Sequence, residues 1–239
     1  MNKTEMYDII ELPSKGQCYD ISSPFREGKV KVSKLTVKDE DYLLSFRYIK
    51  ENRVFDTLLK NKIITNGDVT ELCSGDKEAI ILWFMKDGYG SLQTFNENKT
   101  FNLDEIKYKD FKLKSDDNGN FTYILSNDKI VKYRYLSYKE EDKMLFDIIN
   151  KFNNVNEEET YFDFFYSTTI PLLCGMIVSI NDITDKEDIE DFLKTMDFEE
   201  YKDLQKYISE NQPGLDIETT NGLVFNDSIF YEINVKNDF

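Results

Sequence analysis

Apolar residues fall along this chain in two rhythms. Short stretches alternate with period two, as half-buried strands do, and longer ones repeat at helical spacing. Met6 to Leu12 is apolar-rich and runs into Leu12-Pro13-Ser14-Lys15-Gly16, a strand followed by a turn, because proline fixes φ and glycine permits positive φ. Val30 and Val32 alternate with Lys31 and Lys34 as a second strand. Thr36-Val37-Lys38-Asp39 then leads into a helix with Tyr42, Leu43, Phe46 and Ile49 on its apolar face. Asp39, Glu40 and Asp41 fall in its first turn, at the positive end of the helix dipole. A second helix is predicted over Val54 to Lys60. A third, Lys77 to Lys86, is capped by Ser74-Gly75-Asp76, apolar nearly all round and hence buried, and stopped by Gly88 and Gly90. Ser91 to Phe95 and Thr100 to Leu103 read as a hairpin.

The polar cluster Asp116-Asp117-Asn118-Gly119 marks a boundary. Beyond it, Phe121 to Leu125 and Ile130 to Tyr135 read as paired strands, followed by helices over Lys139 to Phe152 and Tyr161 to Tyr166. Thr184-Asp185-Lys186-Glu187 is a capping-box pattern opening a helix to Lys194. Asp197 caps the next, Phe198 to Asn211, which ends at Pro213-Gly214. Leu215 to Thr220 and Ile229 to Val235 read as a closing hairpin around Asn221-Gly222.

The second half repeats the first. Val30 to Asp41 matches Val131 to Asp142 at an offset of 101, with most positions identical or chemically similar. Ile63-Ile64 resembles Ile177-Val178, Asp68-Val69-Thr70 resembles Asp182-Ile183-Thr184, and Asp76 opens a helix as Asp197 does. The elements keep the same order, so a duplication is expected. The expected fold is α+β, with two tandem, similar units, residues 1–112 and 113–239. Each has short antiparallel strands or hairpins and a small helical cluster.

Composition narrows the chemistry. There is no histidine among the 239 residues, which excludes Ser-His-Asp and Cys-His nucleophilic sites and every histidine-bearing metal site. The net charge of −16 argues against binding nucleic-acid phosphates or anionic membranes. An aromatic content of 14% is too high for a disordered acidic chain. Cys18, Cys73 and Cys174 are odd in number and form no Cys-x-x-Cys pair, so thiols in a reducing compartment are expected rather than a disulfide framework. Met1 to Ile10 lacks the basic-then-apolar order of a signal peptide, and Ile170 to Ile180 is far short of the ~20 residues of a membrane span. Synthesis in the cytoplasm is expected.

Few constellations carry chemistry. Asp39/Glu40/Asp41 and Glu140/Glu141/Asp142 read as helix-start charges before they read as cation ligands. Asp116-Asp117-Asn118-Gly119-Asn120 lacks the twelfth-position glutamate of a calcium loop, since Asn127 stands there. Phosphate-loop glycine patterns are absent. Lys29, Lys31, Lys34 and Lys38 read as a strand face, and Cys73 and Cys174 as small buried hydrophobes. In Tyr161-Phe162-Asp163-Phe164-Phe165-Tyr166 five aromatics cannot share one helix face. Tyr161, Phe162, Phe164, Phe165 and Tyr166 are therefore a candidate protein interface beside the plain reading of core packing.

Taken in order, Glu11-Leu12-Pro13-Ser14-Lys15-Gly16, Leu35 to Asp41 with Asp39 and Glu40, Leu58-Leu59, Gly75-Asp76-Lys77, Ala79-Ile80-Ile81, Gly88-Tyr89-Gly90 and Met196-Asp197 to Pro213-Gly214-Leu215-Asp216 resemble the baseplate hub assembly proteins of T-even-type contractile-tailed bacteriophages. The likeness is patchy but colinear over most of the chain, and no single motif is specific. It implies a non-enzymatic role in building the hub of a tail baseplate, as a virion subunit or an assembly factor. Its partners would be other baseplate, hub or tail proteins, in the host cytoplasm and in the virion baseplate. Many such proteins carry a Cys-x-x-Cys pair after the Gly-Tyr-Gly segment, suggesting a zinc knuckle. This chain has Phe95-Asn96-Glu97-Asn98-Lys99 there, so no zinc or other cofactor is expected. Two other classes remain. An acidic mimic that blocks a nucleic-acid-binding protein has the net charge in its favour, but here carboxylates mix with 30 basic residues. A carboxylate-dependent hydrolase would need a fixed acidic pair, which no spacing supplies.

Overall fold

The computed structural model describes residues 7–51, 53–95, 99–152 and 161–220. Its contacts divide the chain into two units. Unit 1 comprises the chain up to Gly16, Ser22–Phe111 and the chain from Pro213; unit 2 comprises Gln17–Ile21 and Lys112–Gln212. The fold is α+β, with antiparallel strands in small sheets among helices.

In unit 1, β1 (Tyr7–Glu11) pairs antiparallel with β2 (Lys29–Ser33), Ile10 opposite Val30. Ile10, Val30 and Val32 point into the core while Ile9, Lys29 and Lys31 face solvent, the alternation that the sequence predicts. The expected helix from Asp39 is two. α1 (Val37–Leu43) stops at Leu44, and α2 (Phe46–Lys50) restarts behind Ser45, so Phe46 is 75% exposed and is not on a core face. α3 (Val54–Lys62) buries Val54, Phe55, Leu58 and Leu59. α4 (Ser74–Tyr89) is the apolar helix expected, with Ala79, Ile80, Ile81 and Phe84 buried. Its N-cap is Cys73, so Ser74-Gly75-Asp76 is its first turn and not its cap. It runs through Gly88 and ends at Gly90, whose φ of 85° is open to glycine. The hairpin of β3 (Leu92–Phe95) and β4 (Lys99–Asn102) follows.

Unit 2 holds a three-stranded antiparallel sheet, β5 (Phe121–Ile124), β6 (Ile130–Tyr133) and β7 (Ile177–Ile180), in the order β5-β6-β7. α5 (Tyr138–Phe152) leaves β6 as predicted. α6 (Tyr161–Met176) continues ten residues past the expected Tyr166, through Pro171, and delivers the chain directly to β7. α7 (Lys186–Thr195) is capped by Asp185 rather than by Thr184, because the Asp185 carboxylate accepts from the N–H groups of Glu187 (2.9 Å) and Asp188 (3.4 Å). α8 (Phe198–Glu210) is capped by Asp197, as predicted. Tyr133 packs on Phe121 and Tyr135, with ring centroids 5.6 and 5.8 Å away. The Tyr135 hydroxyl donates to the Ile208 carbonyl at 3.0 Å. Part of the aromatic excess is thus core.

The chain then returns to unit 1. Lys109 N–H donates to Gly214 O and Asp216 N–H to Lys107 O, and Leu215 bridges Tyr108. The segment from Pro213 therefore belongs with residues before 112, which differs from tandem units of 1–112 and 113–239. The strand expected over Leu215 to Thr220 is one bridge followed by α9 (Ile217–Thr220), because Asp216 accepts from Glu218 N–H and turns the chain into a helix. The expected strand Ile229 to Val235 lies outside the described residues.

The two units make the strand-to-helix step alike. Val32 lies between Asp8 and Ile63; at the offset of 101, Tyr133 lies between Phe121 and Ile177. The hairpins close with Leu12 N–H on Gly28 O and Leu125 N–H on Lys129 O, both at 2.9 Å. They differ in what lies between, residues 13–27 in one and 126–128 in the other. Asp76 and Asp197 do different jobs: Asp197 is an exposed cap, and Asp76 is fully buried.

Candidate functional site

The motif residues gather in two places in unit 1. The first is a buried junction between the turn after β1 and the first turn of α4. Ser14 and Asp76 are both fully buried. Ser14 donates its N–H to Asp76 Oδ1 at 2.9 Å and its hydroxyl to Oδ2 at 2.6 Å, while its Oγ accepts from Gly16 N–H at 3.1 Å. Leu12 and Pro13 are buried beside them. Gly16 has φ 79°, and a Cβ there would lie 2.1 Å from the Arg26 carbonyl oxygen. Gly75 is required for another reason, since its Cβ would lie 2.0 Å from the Pro213 carbonyl oxygen. Leu12, Pro13, Ser14, Gly16, Gly75, Asp76, Pro213 and Gly214 thus interlock across the length of the sequence. A serine hydroxyl on a carboxylate has the outline of an activated nucleophile. Sealed from solvent, it acts as a tie between two backbones.

The second place surrounds Asp39. Asp39 is the N3 residue of a capping box: its Oδ2 accepts from Thr36 N–H (2.7 Å) and from the Thr36 hydroxyl (2.8 Å). Oδ1 accepts from the Tyr42 hydroxyl at 2.8 Å, and Lys62, also buried, forms an ion pair with Oδ2. Lys62 Nζ donates further to the Lys34 carbonyl at 2.9 Å. Burial pushes the Asp39 carboxyl up, but hydrogen bonds from Lys62, Thr36 and Tyr42 outweigh it and hold the group below its ordinary value. Burial and the Asp39 charge together push the Tyr42 hydroxyl up.

Beside this cluster lies an open cleft of about 340 Å³ lined by Lys34, Thr36, Glu40, Asp87, Gly88 and Tyr89, among others. Glu40 is exposed, unlike Asp39. Lys34 is taken up by Asp87 at 3.1 Å and Asp8 at 3.8 Å, which raise its pKa. A Cβ at Gly88 would lie 2.6 Å from Leu35 Cδ1, which explains glycine inside a helix. Gln93, almost wholly buried, donates to the carbonyls of Tyr89 (2.8 Å) and Gly90 (2.6 Å) and fixes the end of α4.

Unit 2 repeats the capping arrangement. Glu140 Oε2 accepts from Ser137 N–H at 2.9 Å, Ser137 Oγ accepts from Glu140 N–H at 3.2 Å, and Arg134 holds both Glu140 oxygens at 2.9 and 2.5 Å. Arg134 first, and Ser137 after it, overcome the cost of burial and hold the Glu140 carboxyl down at about 2. The acidic turn closes on itself: Asp116 accepts from Asn118 N–H and from Asn120 N–H and Nδ2. Among the described residues no three Cys, Asp or Glu side chains converge as a metal site requires. Tyr161, Phe162, Phe164, Phe165 and Tyr166 lie in the first turns of α6, and their side chains fall outside the described residues.

Sequence reasoning missed Lys62, whose burial nothing in its polar surroundings signals, and Gln93. It also missed Lys186, whose Nζ donates to the carbonyls of Cys174 (2.8 Å) and Ile177 (2.5 Å) where α6 passes into β7. Leu145, Phe146 and Ile149 of α5 are exposed. No protein-family model, curated protein or solved structure matches the chain. No described helix is long and apolar enough to cross a membrane.

Proposed function

We propose that this chain is a non-enzymatic baseplate hub protein of a contractile phage tail, acting in hub assembly through protein–protein contacts, and built from two related α+β units. The observation that carries this reading is the buried junction. The residues behind the resemblance to T-even-type hub assembly proteins are those that interlock there, from Leu12 through Gly75 and Asp76 to Gly214. A colinear but patchy likeness is what a shared scaffold leaves when surfaces diverge and buried crossings cannot. The matched pairings of Val32 and Tyr133 support relatedness of the units in the same way.

The carboxylates support an assembly role over an acidic mimic. Asp39, Asp76, Asp116, Glu140, Asp185 and Asp197 are spent on caps, turns and ion pairs. The net charge of −16 then steers association with partners bearing basic patches. The test is mass spectrometry of phage particles and baseplate intermediates from cells expressing the chain. Stoichiometric presence in particles means a virion subunit, and presence in intermediates alone means an assembly factor. Absence from both, with a nuclease or polymerase recovered on the tagged chain, would favour the mimic and sink the hub reading.

A further inference from the structure

The chain contains three Asn-Gly steps, Asn66–Gly67, Asn118–Gly119 and Asn221–Gly222, of which the last lies outside the described residues. Before glycine, a backbone nitrogen reaches the preceding asparagine's amide carbon with least hindrance, because glycine brings no Cβ and few forbidden dihedrals. The two described steps differ in whether that nitrogen is held. Asn118 and Gly119 belong to the closed acidic turn. Gly119 N–H donates to the Asp116 carbonyl at 3.1 Å, and Asn118 N–H to Asp116 Oδ1 at 3.0 Å. Gly119 is also buried, with its Cβ position 2.9 Å from the Tyr19 carbonyl carbon.

Asn66 is exposed in a bend after α3. Among the described residues neither its side-chain amide nor Gly67 N–H has a hydrogen-bond partner. Packing nevertheless demands the glycine, since a Cβ at Gly67 would lie 2.7 Å from Pro24 Cγ and 3.0 Å from Phe25 Cζ. Asn66 lines an open cleft of about 350 Å³ together with Glu27, Lys29 and Lys31, among others. We propose that Asn66–Gly67 is a self-modification site, at which the exposed amide becomes a carboxylate beside Lys29 and Lys31, while Asn118–Gly119 is spared. The Gly67 nitrogen attacks Asn66 Cγ. The N–Cγ bond forms, the Cγ–Nδ2 bond breaks, and the amide proton of Gly67 leaves with the departing ammonia. One water then opens the five-membered imide. Opening at Cγ gives aspartate, and opening at the backbone carbonyl gives isoaspartate, with one extra atom in the backbone. That atom falls between two fixed points. Thr65 Oγ1 accepts from Lys31 N–H of β2 at 2.8 Å, and the Asp68 carboxylate accepts from Thr70 N–H at 3.0 Å to cap the helical turn Val69–Glu71. This inference is independent of the hub reading.

Peptide mapping by mass spectrometry of the full chain tests it. The chain is aged in mildly alkaline buffer, folded and in urea, and digested at intervals. In the folded chain Asn66 should convert at least about tenfold faster than Asn118, which reacts only after its turn opens. In urea both turns are open, and the two rates should converge. Two products of equal mass, separable by chromatography, are expected at position 66. Asn66→Gln should abolish the conversion, because the longer side chain closes a less favourable ring. It should leave the melting curve of the fresh protein in place, because the side chain is exposed. The aged wild type should melt below the variant aged alike. An Asn66 that stays intact in the folded chain overturns the proposal. So does an Asn118 that converts as fast as Asn66, or aspartate as the sole product, the mark of direct hydrolysis without the imide.

Discussion

A carboxylate without exposed surface has to be answered by donors, and Asp76 is answered twice by Ser14. Asp76→Ala leaves the Ser14 N–H and hydroxyl buried without that acceptor and is expected to cost about 3 kcal/mol, read by urea unfolding. The buried Lys62–Asp39 pair follows a related logic. Lys62→Met strands a buried charge and should cost about 3–5 kcal/mol, of which Asp39→Asn in the same chain recovers part. Two other carboxyls move in opposite directions with pH. Glu140 sits at about 2 against an ordinary 4.5, so it releases its proton more readily in the folded chain. Its contribution is present above pH 4.5 and is lost as pH falls toward 2. Glu140→Gln should flatten stability across that window, by about 1 kcal/mol given its solvent exposure. Burial raises the Glu78 carboxyl above its ordinary value, with Lys77 and Lys109 partly offsetting it. The folded chain therefore binds that proton more tightly, a contribution present in acid and lost as pH rises through the folded value. Glu78→Gln should stabilise the protein at neutral pH by about 1 kcal/mol or less, with no gain below about pH 4, in thermal melts compared across pH.

Elements whose identity rests on local periodicity were legible. β1, β2, β5, β6 and α8 stand where alternation and capping residues put them, because strand faces and caps are decided by neighbours in sequence. What failed was decided at a distance. Nothing local says that α1 must stop at Leu43, that Asp39 pairs with Lys62, or that Asp76 answers Ser14 rather than capping its own helix. The sequence pattern predicts α6 only to Tyr166, yet the helix continues through Pro171 to Met176 and leads into β7. Of the candidate site, the buried junction was visible as a motif but not as a contact, since the Gly75–Pro213 crossing joins opposite parts of the sequence. That crossing gives an element-level prediction. Gly75→Ala should destabilise by about 2–4 kcal/mol in urea unfolding, because a methyl group cannot fit against the Pro213 carbonyl and both elements would have to part.

At the scale of the whole molecule the net charge of −16 opposes any pairing of like copies. Any self-association of the chain should therefore tighten as salt is raised from about 50 to 500 mM, since screening removes repulsion between two acidic bodies. Sedimentation at the two salt concentrations reads this directly. The return of Pro213–Thr220 to unit 1 has a consequence for synthesis. The last residue of unit 2 is Gln212, whereas the Gly75–Gly214 crossing and the Tyr108–Leu215 bridge need chain that follows it. At a ribosome adding about 5–20 residues per second, α4 and its first-turn glycine emerge several seconds before the backbone that must lie across them. Unit 2 has its whole sequence first, and unit 1, though it begins the chain, is the one that finishes last.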